Sequence, residues 1–256
     1  MKRAALVSGL ALLAATSCLA AGARIAAGDG KEPLGSEALS DISIEDDFAT
    51  TCIVPCAHAA WADTQQIQGK IITLAKAEGR NGVLMAKAGA RRTVVPKAGL
   101  IARFARMPSG SRLTASFDLF VPRGYPVNSI HLMDLECASC GVSGNPGVRL
   151  YLRHGRLRVD RSKIGIEHAW ANDDAPALQQ GRWHHINVNA VMSADDAAGS
   201  VDVRLDGARV LSGTGRTLLP GRMAGFDRLQ FGITATSNDT EVRALFDRFE
   251  ARVSPR

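Results

Sequence analysis

Gly181–Leu211 reads GRWHHINVNAVMSADDAAGSVDVRLDGARVL. From Trp183 the chain alternates. His184, Ile186, Val188 and Ala190 fall on one face, and Trp183, His185, Asn187 and Asn189 on the other. Period two is the signature of a half-buried strand. A second alternating run covers 200–205. Asp206-Gly207 then reads as a two-residue hairpin turn, because both residue types tolerate positive φ. The adjacent histidines therefore point to opposite sides of a sheet, and they do not chelate one metal as a pair.

The same period recurs outward in both directions. In RLTASFDLFV (112–121), Leu113, Ala115, Phe117, Leu119 and Val121 share a face. VNSIHLMDLE (127–136) follows a Pro- and Gly-containing turn. GVRLYLRHGRLRVDR (147–161) reads as a hairpin about His154-Gly155. RLQFGITATS (228–237) and VRALFDRFEARV (242–253) complete the series. No segment carries a long 3.6-residue apolar period, and residues 66–78 fit helix and strand equally. Many short strands between Gly, Pro and Asn turns predict an all-β protein, an antiparallel β-sandwich.

The hairpin Gly181, Trp183, His184, His185, Ile186 … Asp206, Gly207 resembles the W-H-H … D-G hairpin of laminin-G-like and pentraxin-like domains, in the concanavalin A-like lectin/glucanase superfamily. Asp247 and Phe249 in ALFDRFEARV resemble its closing D-x-F-x-V strand, and DDF (46–48) matches its usual opening. The resemblance covers residues 44–254 and implies a concanavalin A-like jelly roll. Superfamily members include lectins, glycosidases, polysaccharide lyases and adhesion modules, so fold does not settle activity.

Three segments are expected. Residues 1–23 read as an export signal: Met1-Lys2-Arg3, then an apolar run too short to span a bilayer,. It ends either at Ala21-Gly22-Ala23 or at Cys18, where Ala15-Thr16-Ser17-Cys18 resembles a lipobox with alanine in the usual leucine position. Residues 24–43 read as a flexible tether. Residues 44–256 form the sandwich domain. The expected location is outside the cytoplasm, secreted or lipid-anchored through Cys18, the only route to a membrane. Loss of Lys2 and Arg3 leaves 29 basic against 25 acidic residues, a net charge of +4 spread along the chain. No concentrated basic face argues for nucleic acid. Cys52, Cys56, Cys137 and Cys140 are an even set in an exported chain and are expected as disulfides, with three pairings open. A four-thiolate zinc site is the alternative, but CxxxC is not the usual second half-site.

Catalytic signals are sparse. The glucanase carboxylate run is absent. MDLEC, with Asp134 and Glu136, is its nearest approach and reads as an edge or loop carboxylate pair near a disulfide,. A lyase acting on an anionic, uronate polysaccharide needs cations or amides at the carboxylate and a Tyr or His to move the α-proton. Arg149, Tyr151 and Arg153 share one strand face, with His131 on a neighbouring strand. Cations flanking a phenol favour its anion and make it a better base. The alginate-lyase motifs R-x-E-x-R, Q-I-H and Y-F-K-x-G-x-Y are missing, and SIHL keeps only Ile130-His131 of the second.

Binding asks less of the sequence. Arg149, Tyr151, Arg153, Arg158, His185, Asn187 and Asn189 are the candidate ligand-binding residues, with Trp61 and Trp170 as sugar-stacking candidates. The first expectation is thus a non-catalytic, lectin-like module for a glycan or a cell-surface partner, and the second is a polysaccharide lyase. A structural envelope lipoprotein with a protein partner is the third. No cofactor is expected. The loop acids Asp173-Asp174, Asp195-Asp196 and Asn238-Asp239 have the oxygen chemistry for calcium but no dedicated spacing.

Overall fold

The Trp183–Val191 stretch is a strand whose inward residues His184, Ile186, Val188 and Ala190 are buried. It belongs to a computed structural model that describes residues 39–49, 60–142, 145–164, 169–221 and 224–256. In chain order the strands are β1 (Ile42–Asp46), β2 (Asp63–Ile67), β3 (Gly69–Ala77), β4 (Arg80–Ala88), β5 (Lys97–Pro108), β6 (Arg112–Phe120), β7 (Ile130–Glu136) and β8 (Gly147–Arg153). Then come β9 (Arg156–Ser162), β10 (Ala169–Trp170), β11 (Trp183–Val191), β12 (Ser200–Leu205), β13 (Ala208–Thr214), β14 (Gly225–Thr236) and β15 (Val242–Ser254).

They form two antiparallel sheets. The first runs β13-β12-β11-β6-β15-β4-β3, with β1 also paired to β15, and the second runs β10-β9-β8-β7-β14-β5-β2. This is an all-β sandwich. Residues 66–78, ambiguous by pattern, are the end of β2 and then β3. The first strand opens at Ile42, inside the stretch read as tether, because Ile42 and Ser43 pair with Val253 and Arg252 of β15. The signal segment, Cys18, Cys52 and Cys56 lie outside the described residues. Among those described, no helix is long and apolar enough to cross a membrane.

Hairpin turns follow the residue types that form them. Asp206 and Gly207 both have positive φ (51° and 83°), the conformation whose twist matches paired strands,. His154-Gly155 turns in the same way between β8 and β9.

The inward faces meet in one continuous core. Phe231 of β14 sits at its aromatic centre. Its ring lies 4.2 Å from Phe249 and 4.8 Å from Phe246 on β15, and 5.0 Å from Phe117 on β6. Trp61 joins this cluster rather than a sugar-stacking surface. It is only 2% exposed, its ring centroid is 6.0 Å from that of Phe231, and its Nε1 donates to Asp46 Oδ2 at 2.8 Å. Trp170 is also occupied, lying against the Gly213 backbone with the Arg161 guanidinium 4.6 Å from its ring centre. A smaller cluster of Val83, Phe120 and Leu245 lies apart from the main core, with Trp183 packed against it. Leu119 points into the main core, so alternation turns Phe120 the other way, and the smaller cluster is what buries its ring.

Cys137 and Cys140 form a disulfide directly after β7. Of the three pairings, the local one is therefore realised for this pair, and the zinc alternative falls, since a disulfide sulfur is no thiolate ligand.

Candidate functional site

The face of the second sheet that points away from the core is built on an irregularity in β7. Against β8, His131 pairs with Tyr151 and Met133 with Leu150, so Leu132 is an extra residue, a bulge,. Leu132 and Met133 both belong to the core and are buried. Strict alternation would put His131 and Asp134 on opposite faces. The bulge places both on the outer face, with Tyr151 beside His131 and Arg149 beside Asp134.

Next to His131 runs a buried polar ladder. Glu136 is the anchor, its side chain 3% exposed. It accepts from Arg149 Nη2 (3.1 Å), Arg228 Nε (3.1 Å), Gln230 Nε2 (2.8 Å) and Asn145 Nδ2 (3.3 Å). Arg228 and Gln230 come from β14, where they stand opposite Glu136 and Asp134 respectively. Asp134 Oδ2 lies 3.7 Å from Arg149 Nε, and Asp134 Oδ1 lies 3.9 Å from His131 Nδ1. The Asp134/Glu136 pair is therefore neither edge nor loop. It sits in the middle of the sheet, and Glu136 is saturated by donors, which leaves it no role as a glycosidase acid or base.

His131 and Tyr151 stack with ring centroids 5.3 Å apart and planes 23° from parallel. They line an open cleft of about 450 Å³ with Arg91, Asn128, Arg153 and Thr236. The rim is pinned by hydrogen bonds. Arg91 N donates to Asn238 O (2.7 Å), Asn238 Nδ2 donates to Asn128 O (2.6 Å), and His154 N donates to Asn128 Oδ1 (3.0 Å). Arg91 and Arg153 are exposed and carry positive charge to the opening.

The structure thus brings His131, Tyr151 and Arg153 together, and Arg149 lies beside them as part of the ladder rather than in the cleft. Arg158 is next to Tyr151 on β9 and is held by Asp173. Sequence reasoning did not pick out Arg91 or Gln230, which lie far from β8 in the chain, or Asn128, which precedes β7 and shows no motif.

His185, Asn187 and Asn189 do not belong to this face. They lie on β11 in the other sheet, so the candidate ligand set divides between two sides of the sandwich. His185 Nδ1 is 2.7 Å from Asp118 Oδ1, and Asp118 also receives Arg80 and Arg248. Burial pushes the Asp118 carboxyl up, but hydrogen bonds from Arg80, His185 and Arg248 outweigh it and hold the group below its ordinary range,. His184 is a lock. Its ring contacts Asp206 Oδ2 (2.8 Å) and the Gln179 backbone (3.0 Å), tying the Asp-Gly turn to the preceding loop. Two of the loop acids are engaged within the chain, Asp173 by Arg158 and Asp196 by Arg216. Among the described residues, no group of three or more His, Cys, Asp or Glu side chains could hold a metal ion.

No protein-family model matches this chain, and no curated protein does. Solved structures do match in fold. An endo-β-1,4-glucuronan lyase from the fungus Trichoderma reesei superposes with a TM-score of 0.60 at 12% identity, over 77% of this chain and 91% of that one. The alginate lyase Aly36B gives 0.57 at 11% identity, over 83% and 96%. The cellulose-induced protein Cip1 gives 0.56 at 10%, over 81% and 96%. At such identities the likeness is one of fold. The chain shares the jelly-roll-like β-sandwich of these proteins.

Proposed function

We propose that this protein is a polysaccharide lyase acting on a uronate-containing, anionic polysaccharide in the β7–β8 cleft. The carrying observation is the stacked His131/Tyr151 pair, two groups able to move protons, in an open cleft rimmed by Arg91 and Arg153. In the reaction a base takes the proton α to the uronate carboxylate, the C4–O4 bond breaks, a C4=C5 double bond forms, and the leaving O4 takes a proton. His131 is assigned as base and Tyr151 as acid, the reverse of the role the sequence suggested for Tyr151, because Arg149, expected to flank the phenol, donates to Glu136 instead, and imidazole accepts a proton where a phenol donates one,. Arg91, Arg153 and the Asn128 amide stabilise the charge that develops on the carboxylate. The glucuronan and alginate lyases among the fold neighbours support this choice of substrate class.

The lectin-like reading, first by sequence, needs no proton-moving pair, and its seven candidate residues divide, with Arg149, Tyr151, Arg153 and Arg158 on the cleft sheet and His185, Asn187 and Asn189 on the other. The test is incubation of the protein with glucuronan, alginate and a neutral glucan, following ultraviolet absorbance of the unsaturated product. We expect a rise with a uronate polymer alone. Tyr151→Phe should lower the rate about 10²–10⁴-fold with the fold intact. Retention on the polymer without any rise would return the protein to a glycan-binding role.

A further inference from the structure

Asp134 has no part in the proton transfers above, and its environment asks for one. Its side chain is 6% exposed, yet Oδ1 has no hydrogen-bond partner. His131 Nδ1 is likewise buried and without a partner, and the two atoms face each other at 3.9 Å. Buried polar atoms are paired in nearly all proteins, so two unpaired ones face to face call for an explanation. Arg149 does not supply it. Arg149 reaches the other carboxylate oxygen, Oδ2, at 3.7 Å, and its Nη2 is committed to Glu136. The Leu132 bulge is what makes the encounter possible, since it alone puts residues three apart on one face,.

We propose that Asp134 is a positioning residue for His131. Its carboxylate takes the Nδ1–H of the imidazole, which fixes the tautomer that presents a bare Nε2 to the cleft. The same carboxylate stabilises the imidazolium formed when Nε2 takes a proton. Closing the gap to hydrogen-bond length needs a movement of about 1 Å. Catalytic hydrogen bonds are often long before substrate binds and tighten in the complex. The inference rests on the lyase reading for its chemical use, while the tautomer itself can be observed without any substrate.

The experiment is ¹⁵N NMR of histidine-labelled protein, with His131 assigned by the resonances lost in His131→Gln. The wild type should show protonated Nδ1 and bare Nε2. In Asp134→Asn the amide can donate to Nδ1, so the Nε2–H tautomer should grow. Asp134→Glu should restore the wild-type tautomer. On a uronate polymer, Asp134→Asn should lower kcat with KM nearly unchanged, and Asp134→Glu should recover part of the loss. A wild-type His131 protonated on Nε2 overturns the proposal, whether or not any variant folds. So does a tautomer unmoved in Asp134→Asn. Should the tautomer respond as expected while no polymer is cleaved, the positioning contact stands and the lyase reading fails.

Discussion

Asp118 shows how a single side chain on the sheet face opposite the cleft holds several elements. Its side chain is 1% exposed and it binds Arg80 of β4, His185 of β11 and Arg248 of β15. Removing its charge leaves Arg80 with Asp247 alone and returns the solvent-exposed His185 and Arg248 to water, at a cost of about 1–2 kcal/mol because exposed partners are screened,. Asp118→Asn should therefore lower unfolding stability by about that amount in a urea titration. The sign of the pH effect follows from its lowered pKa. The ionised group contributes stability above the pH at which an unfolded aspartate titrates, about 4. That contribution is lost as pH falls through the lower, folded value. The wild type should lose stability in that acid window, and the variant should lose less. An equal acid slope in both proteins would show that other carboxylates govern the limb. The histidines beside this site were legible in part. Alternation separated His184 from His185, but only the fold revealed that one locks a turn and the other meets Asp118.

At the scale of elements, the strands and their turns were legible and the bulge was not. Gly207 has φ of 83° and nothing within 4 Å of an added Cβ, so only the backbone opposes a side chain there. Gly207→Ala should cost about 1–2 kcal/mol in thermal or urea unfolding, the penalty for an L residue in the left-handed region. A neutral result would mean the turn relaxes to another type. The Cys137–Cys140 bridge closes a short loop after β7, and the loop-entropy relation gives it about 2 kcal/mol,. The double variant Cys137→Ala/Cys140→Ala should lose about that much stability in a urea titration. By contrast, SIHLMDLE carries no local sign of an extra residue. Leu132 and Met133 are both apolar, and a strand with two inward neighbours looks like ordinary alternation with one substitution. The register against β8 is what reveals it.

At the scale of the whole molecule, and among the described residues, the two sheets are joined by side chains rather than by continuous strands. Phe231 of the second sheet packs on Phe117, Phe246 and Phe249 of the first. Phe231→Ala should destabilise by about 3–5 kcal/mol, the range for removing a buried aromatic ring. Unfolding by fluorescence and by circular dichroism should remain coincident if the sheets still unfold together. A loss below about 1 kcal/mol would show that the core collapses into the space.

Sequence alone determined the fold class, because alternation of apolar and polar residues dictates which side of a strand is buried, and Asp-Gly and His-Gly pairs dictate where strands reverse. It also determined that Arg149, Tyr151 and Arg153 share a face, since they alternate along one strand. The tertiary structure decided which strands are neighbours. β7 pairs with β14 across a separation of 92 residues between Glu136 and Arg228, and that pairing supplies Arg228 and Gln230 to Glu136. It also decided that β11, with His185, Asn187 and Asn189, lies in the opposite sheet from Tyr151. The physical reason is that periodicity is a local property of the chain, whereas strand order and register arise from long-range packing and hydrogen bonding that no short window of residues contains.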